Sequence, residues 1–110
     1  MGKFIITKRS NNEYQFNLKA ANGQAILTSE GYNAKASCYK GIESVKNNAT
    51  TDAGYDRKIA KNGTYYFNLK AGNGEVIGTS QLYTTEDARN KGIESVKANA
   101  PGAEIVDETI

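Results

Sequence analysis

The sequence predicts an α+β protein: tandem β3-α units sharing one mostly antiparallel sheet with a C-terminal strand, and two helices packed on one face. Three observations lead there. First, the chain is written twice. Phe16-Asn17-Leu18-Lys19-Ala20 returns as Phe67-Asn68-Leu69-Lys70-Ala71, and Gly41-Ile42-Glu43-Ser44-Val45-Lys46 returns as Gly92-Ile93-Glu94-Ser95-Val96-Lys97, both at an offset of 51 residues. From Tyr14/Tyr65 to Ala49/Ala100 the copies align without a gap and agree at 21 of 36 positions. Second, the apolar period within each copy changes from that of a strand to that of a helix. Third, 110 residues suit one domain, whereas a unit of about 50 residues buries only about 60% of its unfolded surface. The copies are therefore expected to share a core. They form a single compact domain over 1–110, with repeat one at about 1–51 and repeat two at about 52–110.

Each element follows from its residues. Phe4-Ile5-Ile6-Thr7-Lys8, and Tyr55-Asp56-Arg57-Lys58-Ile59 in the second copy, supply the first strand of each unit. Asn11-Asn12 and Asn62-Gly63 mark the turns that follow. Tyr14, Phe16, Leu18 and Ala20 then alternate with Gln15, Asn17 and Lys19, and Tyr65, Phe67, Leu69 and Ala71 with Tyr66, Asn68 and Lys70. This is the period of a strand with one buried face. Asn22-Gly23 and Asn73-Gly74 predict type I′ hairpin turns, leading into strands at 24–29 and 75–80 anchored by Ile26 and Ile77. Asn33 and Thr84 are the expected helix caps, the latter followed by the acids Glu86 and Asp87. Cys38, Ile42, Val45 and Ala49 fall on one helical face, as do Ile93, Val96 and Ala100. Gly41 and Gly92 stand inside these helices, where glycine costs about 1 kcal/mol; their retention implies a close approach of helix backbone to sheet. Pro101-Gly102 ends the second helix, and Ala103–Glu108 supplies a seventh strand. The offset sets Val106 on Tyr55, which predicts a central strand near Tyr55–Ala60 common to both units.

The strand Tyr-x-Phe-x-Leu-x-Ala, the Asn-Gly turn, Ser-x-x-Tyr at Ser29–Tyr32 and Ser80–Tyr83, and the helix Gly-Ile-x-Ser-Val-Lys occur twice in this order. With these motifs the chain resembles the YegP-like family of small bacterial proteins. The resemblance implies β3-α-β units that pair in one sheet and exchange terminal strands. It also implies that single-unit members dimerise, so that this tandem chain is a monomeric, covalent pseudo-dimer. It carries no catalytic residues.

Composition narrows the chemistry. Apolar and charged fractions of 38% and 24% are those of a globular domain. No apolar run approaches the length of a membrane span, and Met1–Ile6 is too short and too soon polar for a secretory signal, so the cytoplasm is expected. The net charge of +2 does not call for nucleic acid, although residues 1–51 carry seven basic against three acidic groups and residues 52–110 seven against nine. There is no histidine, which removes the commonest general base and metal ligand. The sole cysteine, Cys38, is set among core positions and is matched by Arg89. Carboxylates retained in both copies reduce to Glu43 and Glu94, three residues before Lys46 and Lys97, the spacing of a solvated ion pair. Tyr32 and Tyr83 are read as staples between strand and helix. No enzyme activity, cofactor or metal is expected. The remaining surface is the sheet face opposite the helices, displaying Asn17, Lys19, Tyr66, Asn68 and Lys70. These expectations describe a small non-enzymatic binding or interaction module of unassigned role. The alternative is a weak single-stranded nucleic-acid or polyanion binder that uses charge and stacking on that face.

Overall fold

The computed structural model describes residues 2–110. The strands are β1 (Lys3–Lys8), β2 (Tyr14–Lys19), β3 (Ala25–Thr28), β4 (Tyr55–Ile59), β5 (Tyr65–Lys70), β6 (Val76–Thr79) and β7 (Glu104–Asp107). The helices are α1 (Lys35–Asn48) and α2 (Glu86–Asn99), and a short 3-10 turn, Asp52–Gly54, leads into β4. All seven strands form one sheet in the order β4-β5-β6-β3-β2-β1-β7. Every pairing is antiparallel except that of β7 with β1. Each helix straddles the repeats: α1 packs on β2 and on β5 and β6, α2 on β5 and on β3. No helix among the described residues is long and apolar enough to cross a membrane.

The alternation read from the sequence sets the core. Phe16, Leu18, Phe67 and Leu69 are fully buried with Ile42, Val45, Ile93 and Val96 of the helices. Ser29 and Ser80 close the inner layer, their hydroxyls accepting the backbone N–H groups of Phe16 and Phe67 at 2.9 and 3.0 Å. Tyr32 and Tyr83 act as the expected staples. Each makes an isolated antiparallel bridge to the start of β2 or β5, through Tyr14 and Tyr65. Their hydroxyls lie against Gly41 and Gly92, where a Cβ would fall on the phenol oxygen. The helical glycines are therefore explained by a tyrosine seated on the helix, with the Phe16 ring also in reach at 3.1 Å, instead of by backbone meeting backbone.

Several expectations need correction. The strand near Tyr55–Ala60 is not central: β4 is an edge strand, and the repeats meet instead at β3 and β6. The chain leaving α1 enters β4 directly, whereas the chain leaving α2 finds that place held by β1 and lies beside it as β7. The exchanged C-terminal strand is thus real, but it extends one edge and seals no shared centre. The Asn-Gly hairpins are not type I′. Within each of these loops only the glycine, Gly23 or Gly74, has positive φ, at 85° and 87°. Ala20 N–H bonds to Gln24 C=O and Gly23 N–H to Ala20 C=O, giving a three-residue loop with a left-handed glycine. Asn22 and Asn73 serve through their side chains, each accepting from the backbone N–H two residues on. The caps lie one residue later than expected, at Ala34 and Thr85, and only Thr85 caps with its side chain, accepting from Ala88 N–H at 3.1 Å. Of the predicted helix pairs, Lys97–Glu94 forms at 3.4 Å, while Lys46 stands over the Phe4 ring at 5.9 Å.

Candidate functional site

The seam between the repeats is thin. β3 and β6 share one paired position, Thr28 with Thr79, and these two residues are each other's counterpart at the offset of 51. A pseudo-two-fold axis therefore passes between them. The seam is strengthened on the helix side by an unequal pair. Leu27 is buried, and its counterpart is Gly78, where a Cβ would stand 2.6 Å from Leu27 Cγ. A bulge in each repeat sets both Ile26 and Leu27, and both Ile77 and Gly78, in buried positions, because the ladders skip Ile26 and Ile77 between Leu18 and Lys19 and between Leu69 and Lys70.

On the open face the seam lies in a groove of about 790 Å³. It is lined from both repeats, with Thr28 and Thr79 at its centre and Glu30, Glu75, Val76 and Gln81 among its walls. Thr28 Oγ1 donates to Asn17 Oδ1 at 2.7 Å, and Thr79 Oγ1 to Asn68 Oδ1 at 2.8 Å. Each asparagine thus accepts from its threonine through Oδ1, which leaves its amide N–H groups to donate elsewhere. Glu30 and Glu75 are exposed, and neither forms an ion pair among the described residues. Both add negative potential at Tyr32, whose phenol is raised first by burial and then by Glu30, Cys38 and Glu75.

The residues read from sequence distribute around this groove unequally. Asn17 and Asn68 reach its centre through the threonines. Lys19 and Lys70 are placed at opposite ends by the pseudo-two-fold axis, opposite Ala25 and Val76 in the ladders. Lys70 is engaged by Asp56 at 3.3 Å, and hydrogen bonds from Lys70 and then Lys58 hold Asp56 below the usual carboxylate range. Tyr66 stands opposite Lys58 near the outer edge, away from the seam. Sequence reasoning missed Thr28 and Thr79, although both copies keep a Thr-Ser pair there, and missed Glu30 and Glu75, whose counterparts are Gln81 and Gln24.

Elsewhere, Cys38, Tyr55 and Asp107 are shifted by their packing and hydrogen bonds. Cys38 is fully buried, and desolvation, with a smaller contribution from Asp107, pushes its thiol up to about 11. Tyr55 donates its hydroxyl to Ala49 C=O at 2.6 Å, and burial raises its phenol further. Asp107 is drawn down to about 2 by hydrogen bonds from Thr109 and Lys35. No group of three or more Cys, Asp or Glu side chains suited to hold a metal ion occurs among the described residues.

Duplicated β3-α units in one sheet, with a C-terminal strand added in parallel, define a tandem-repeat α+β module. The chain belongs to the family described as a domain of unknown function, DUF1508, which matches it twice, over residues 10–56 and 60–107. It is 55% identical over 106 residues to a UPF0339 protein encoded 5′ of the ptx operon in Stutzerimonas stutzeri, covering 96% of each chain. It is 49% identical over 108 residues to UPF0339 protein YegP of Escherichia coli K12, covering 98% of each. The solution structure of the E. coli protein superposes with a TM-score of 0.93 at 48% identity, over 97% of this chain and 92% of that one. A UPF0339 protein of Shewanella oneidensis gives 0.91 at 47%, over 96% and 90%. None of these names carries an activity. The resemblance read from the repeated motifs is thereby established, and so is the fold.

Proposed function

We propose that the chain is a non-enzymatic binding module whose ligand occupies the groove over the seam. The observation that supports this is an open groove of about 790 Å³ built from both repeats, where they hold each other through one residue pair. That volume falls within the range of about 300–1,000 Å³ typical of ligand sites. The polar groups suit a ligand that bears an amine and an amide or hydroxyl. The carboxylates of Glu30 and Glu75 attract the cation, and the amide groups of Asn17 and Asn68 meet acceptors. Catalysis has less support. The one thiol is buried and protonated at neutral pH, and Glu43 and Glu94 are exposed on helices across the sheet from the groove. We also take the protein to act as a monomer, because the second repeat occupies the place a second chain would fill.

The test is titration of 15N-labelled protein with a lysine-containing tripeptide amide and, separately, with a short oligothymidylate. The expected result is amide shifts at Thr28, Thr79, Glu30 and Glu75 with the tripeptide, abolished in the Glu30→Gln, Glu75→Gln double variant. Shifts confined to Lys19, Lys70 and Tyr66 with the oligonucleotide, weakening with salt, would replace this proposal with polyanion binding.

A further inference from the structure

The two outer strands of the repeats are treated differently, and the difference is chemical. β1 is covered on its outer side by β7, in parallel, with Phe4 opposite Ile105 and Ile6 opposite Asp107. The Ile6 C=O accepts Glu108 N–H at 2.9 Å. Asp107 is then gripped by Lys35, from the first turn of α1, at 2.9 Å. It also lies near enough to Cys38 for its charge to act on the thiol. β4 holds the matching place in repeat two, and among the described residues no strand pairs with its outer side. Tyr55 N–H is already taken by Asp52 C=O. Asp56, Lys58 and Ala60 turn their backbone groups to β5, as the Ala60–Thr64 bond shows, so by alternation Arg57 and Ile59 turn theirs outward.

The offset of 51 shows what an added strand would meet. In place of Ile6 it finds Arg57, in place of Cys38 it finds Arg89, and in place of Lys35 it finds Glu86. Arg89 is only 5% exposed, an unusual depth for a guanidinium. It lies over the Tyr65 ring at 5.5 Å. Its polar partners are Glu86 at 3.4 Å and Asn90 at 3.3 and 3.4 Å, long for charge-assisted hydrogen bonds. Arg57 is similarly held, at 3.4 Å by Asp52. Glu86 and Asp52 are both about two-thirds exposed, 67% and 66%. A carboxylate at the position of Asp107 would therefore compete with Glu86 and Asp52, both largely exposed, for two guanidinium groups. Ile59, at the end of the same strand, is 67% exposed and stands where repeat one has Lys8. It asks for apolar cover.

We propose that the outer edge of β4 is a docking site for an extended segment of a partner protein, added in parallel. The segment would carry an acidic residue opposite Arg57, within reach of Arg89, and an apolar residue two positions later against Ile59. This surface is separate from the groove, and neither proposal depends on the other. Backbone hydrogen bonds to the edge supply the general affinity, and the acid-x-apolar spacing supplies selection.

The protein's own β7 provides the probe. An eight-residue peptide copying Ala103–Ile110, carrying Thr109→Val to supply the apolar position, is titrated into 15N-labelled full-length protein. Expected are shifts at Arg57, Ile59 and the Arg89 side chain, with binding weakened about ten-fold or more when the peptide carries Asp107→Asn. Binding should weaken similarly in the protein variants Arg57→Gln and Arg89→Cys. Arg89→Cys restores the residue that repeat one carries, and Arg57→Gln lies at the exposed edge, so one folded variant is available if the other fails. Shifts at β1 instead of β4 would mean exchange with β7 and would overturn the proposal. So would equal binding of the Asp107→Asn peptide, absence of shifts at β4, or concentration-dependent dimerisation through Arg57 and Ile59 without peptide.

Discussion

Leu27 and Gly78 should be strongly coupled. A Cβ on Gly78 would stand 2.6, 2.7 and 3.0 Å from Leu27 Cγ, Cδ2 and Cδ1, against about 3.5–4.0 Å for a comfortable carbon contact. Branch-point contact of this kind cannot be relieved by swinging a chain end. Gly78→Ala should therefore incur an overpacking cost of about 1–3 kcal/mol. Loss of glycine freedom in the unfolded chain offsets about 0.4–1 kcal/mol of that. Leu27→Ala alone removes a buried side chain and should cost about 2–5 kcal/mol. In the double variant the obstacle to the new methyl is gone, so Gly78→Ala should become neutral or stabilising. The coupling is then about 1–3 kcal/mol, well outside the roughly 0.3–0.5 kcal/mol expected of independent sites. Urea unfolding of the four proteins, followed by circular dichroism, measures it, and each kcal/mol should also move Tm by about 4–8 °C. If Gly78→Ala stabilises the native protein, or the two changes add, the seam is not packed as described.

Other consequences can be checked in the same way. Asp107 sits at about 2 in the folded chain, below the ordinary value near 3.9, so its stabilisation is present above about pH 4 and is lost as pH falls towards 2; the Tm gap between wild type and Asp107→Asn should close over that window, and a gap independent of pH would refute the assignment. Phe16→Ala and Phe67→Ala should each cost about 3–5 kcal/mol, whereas Lys19→Ala on the open face should stay within about 0.5 kcal/mol; equal losses on both faces in denaturant titrations would count against the alternation. Thr85→Ala should cost about 0.5–2 kcal/mol, and Ala34→Ser, which supplies the cap α1 lacks, should gain a comparable amount, about 1 kcal/mol. A fragment of residues 1–50 loses β7 and the β5–β6 surface beneath α1, and should be partly unfolded or dimeric until mixed with 51–110; a monomeric fragment with a cooperative melt would mean two independent domains.

What was legible in the residues was whatever the duplication repeats. Alternation at Tyr14–Ala20 and Tyr65–Ala71 located β2 and β5 and assigned their faces, and the Ile42–Val45–Ala49 stripe located the helix. Strand order was not legible in that way. The offset relates Tyr55 to both Phe4 and Val106, but it cannot say which edge each occupies, because that depends on which strand already holds the place when the chain leaves each helix. β3 and β6 are only four residues each and meet through one pair, too brief a contact to leave a pattern. Turn geometry failed for a local reason. Asn-Gly satisfies a two-residue or a three-residue loop, and the choice rests on where Ala20 finds its partner. The groove was obscured by the very comparison that exposed the fold. Screening for groups kept in both copies discards Glu30 and Glu75, which matter by differing from Gln81 and Gln24.

The Leu27–Gly78 pair also bears on what duplication permits. Two identical chains related by a true two-fold axis must place the same residue at both positions beside it. Leucine twice would collide, and glycine twice would leave a hole. A single chain carrying both units is under no such constraint, and one side can grow into space the other vacates. The same freedom lets an acid stand at position 30 against an amide at 81, so the groove has a distinguishable left and right. A bound molecule would then have one preferred orientation, where a symmetric pair of chains would offer two equivalent ones.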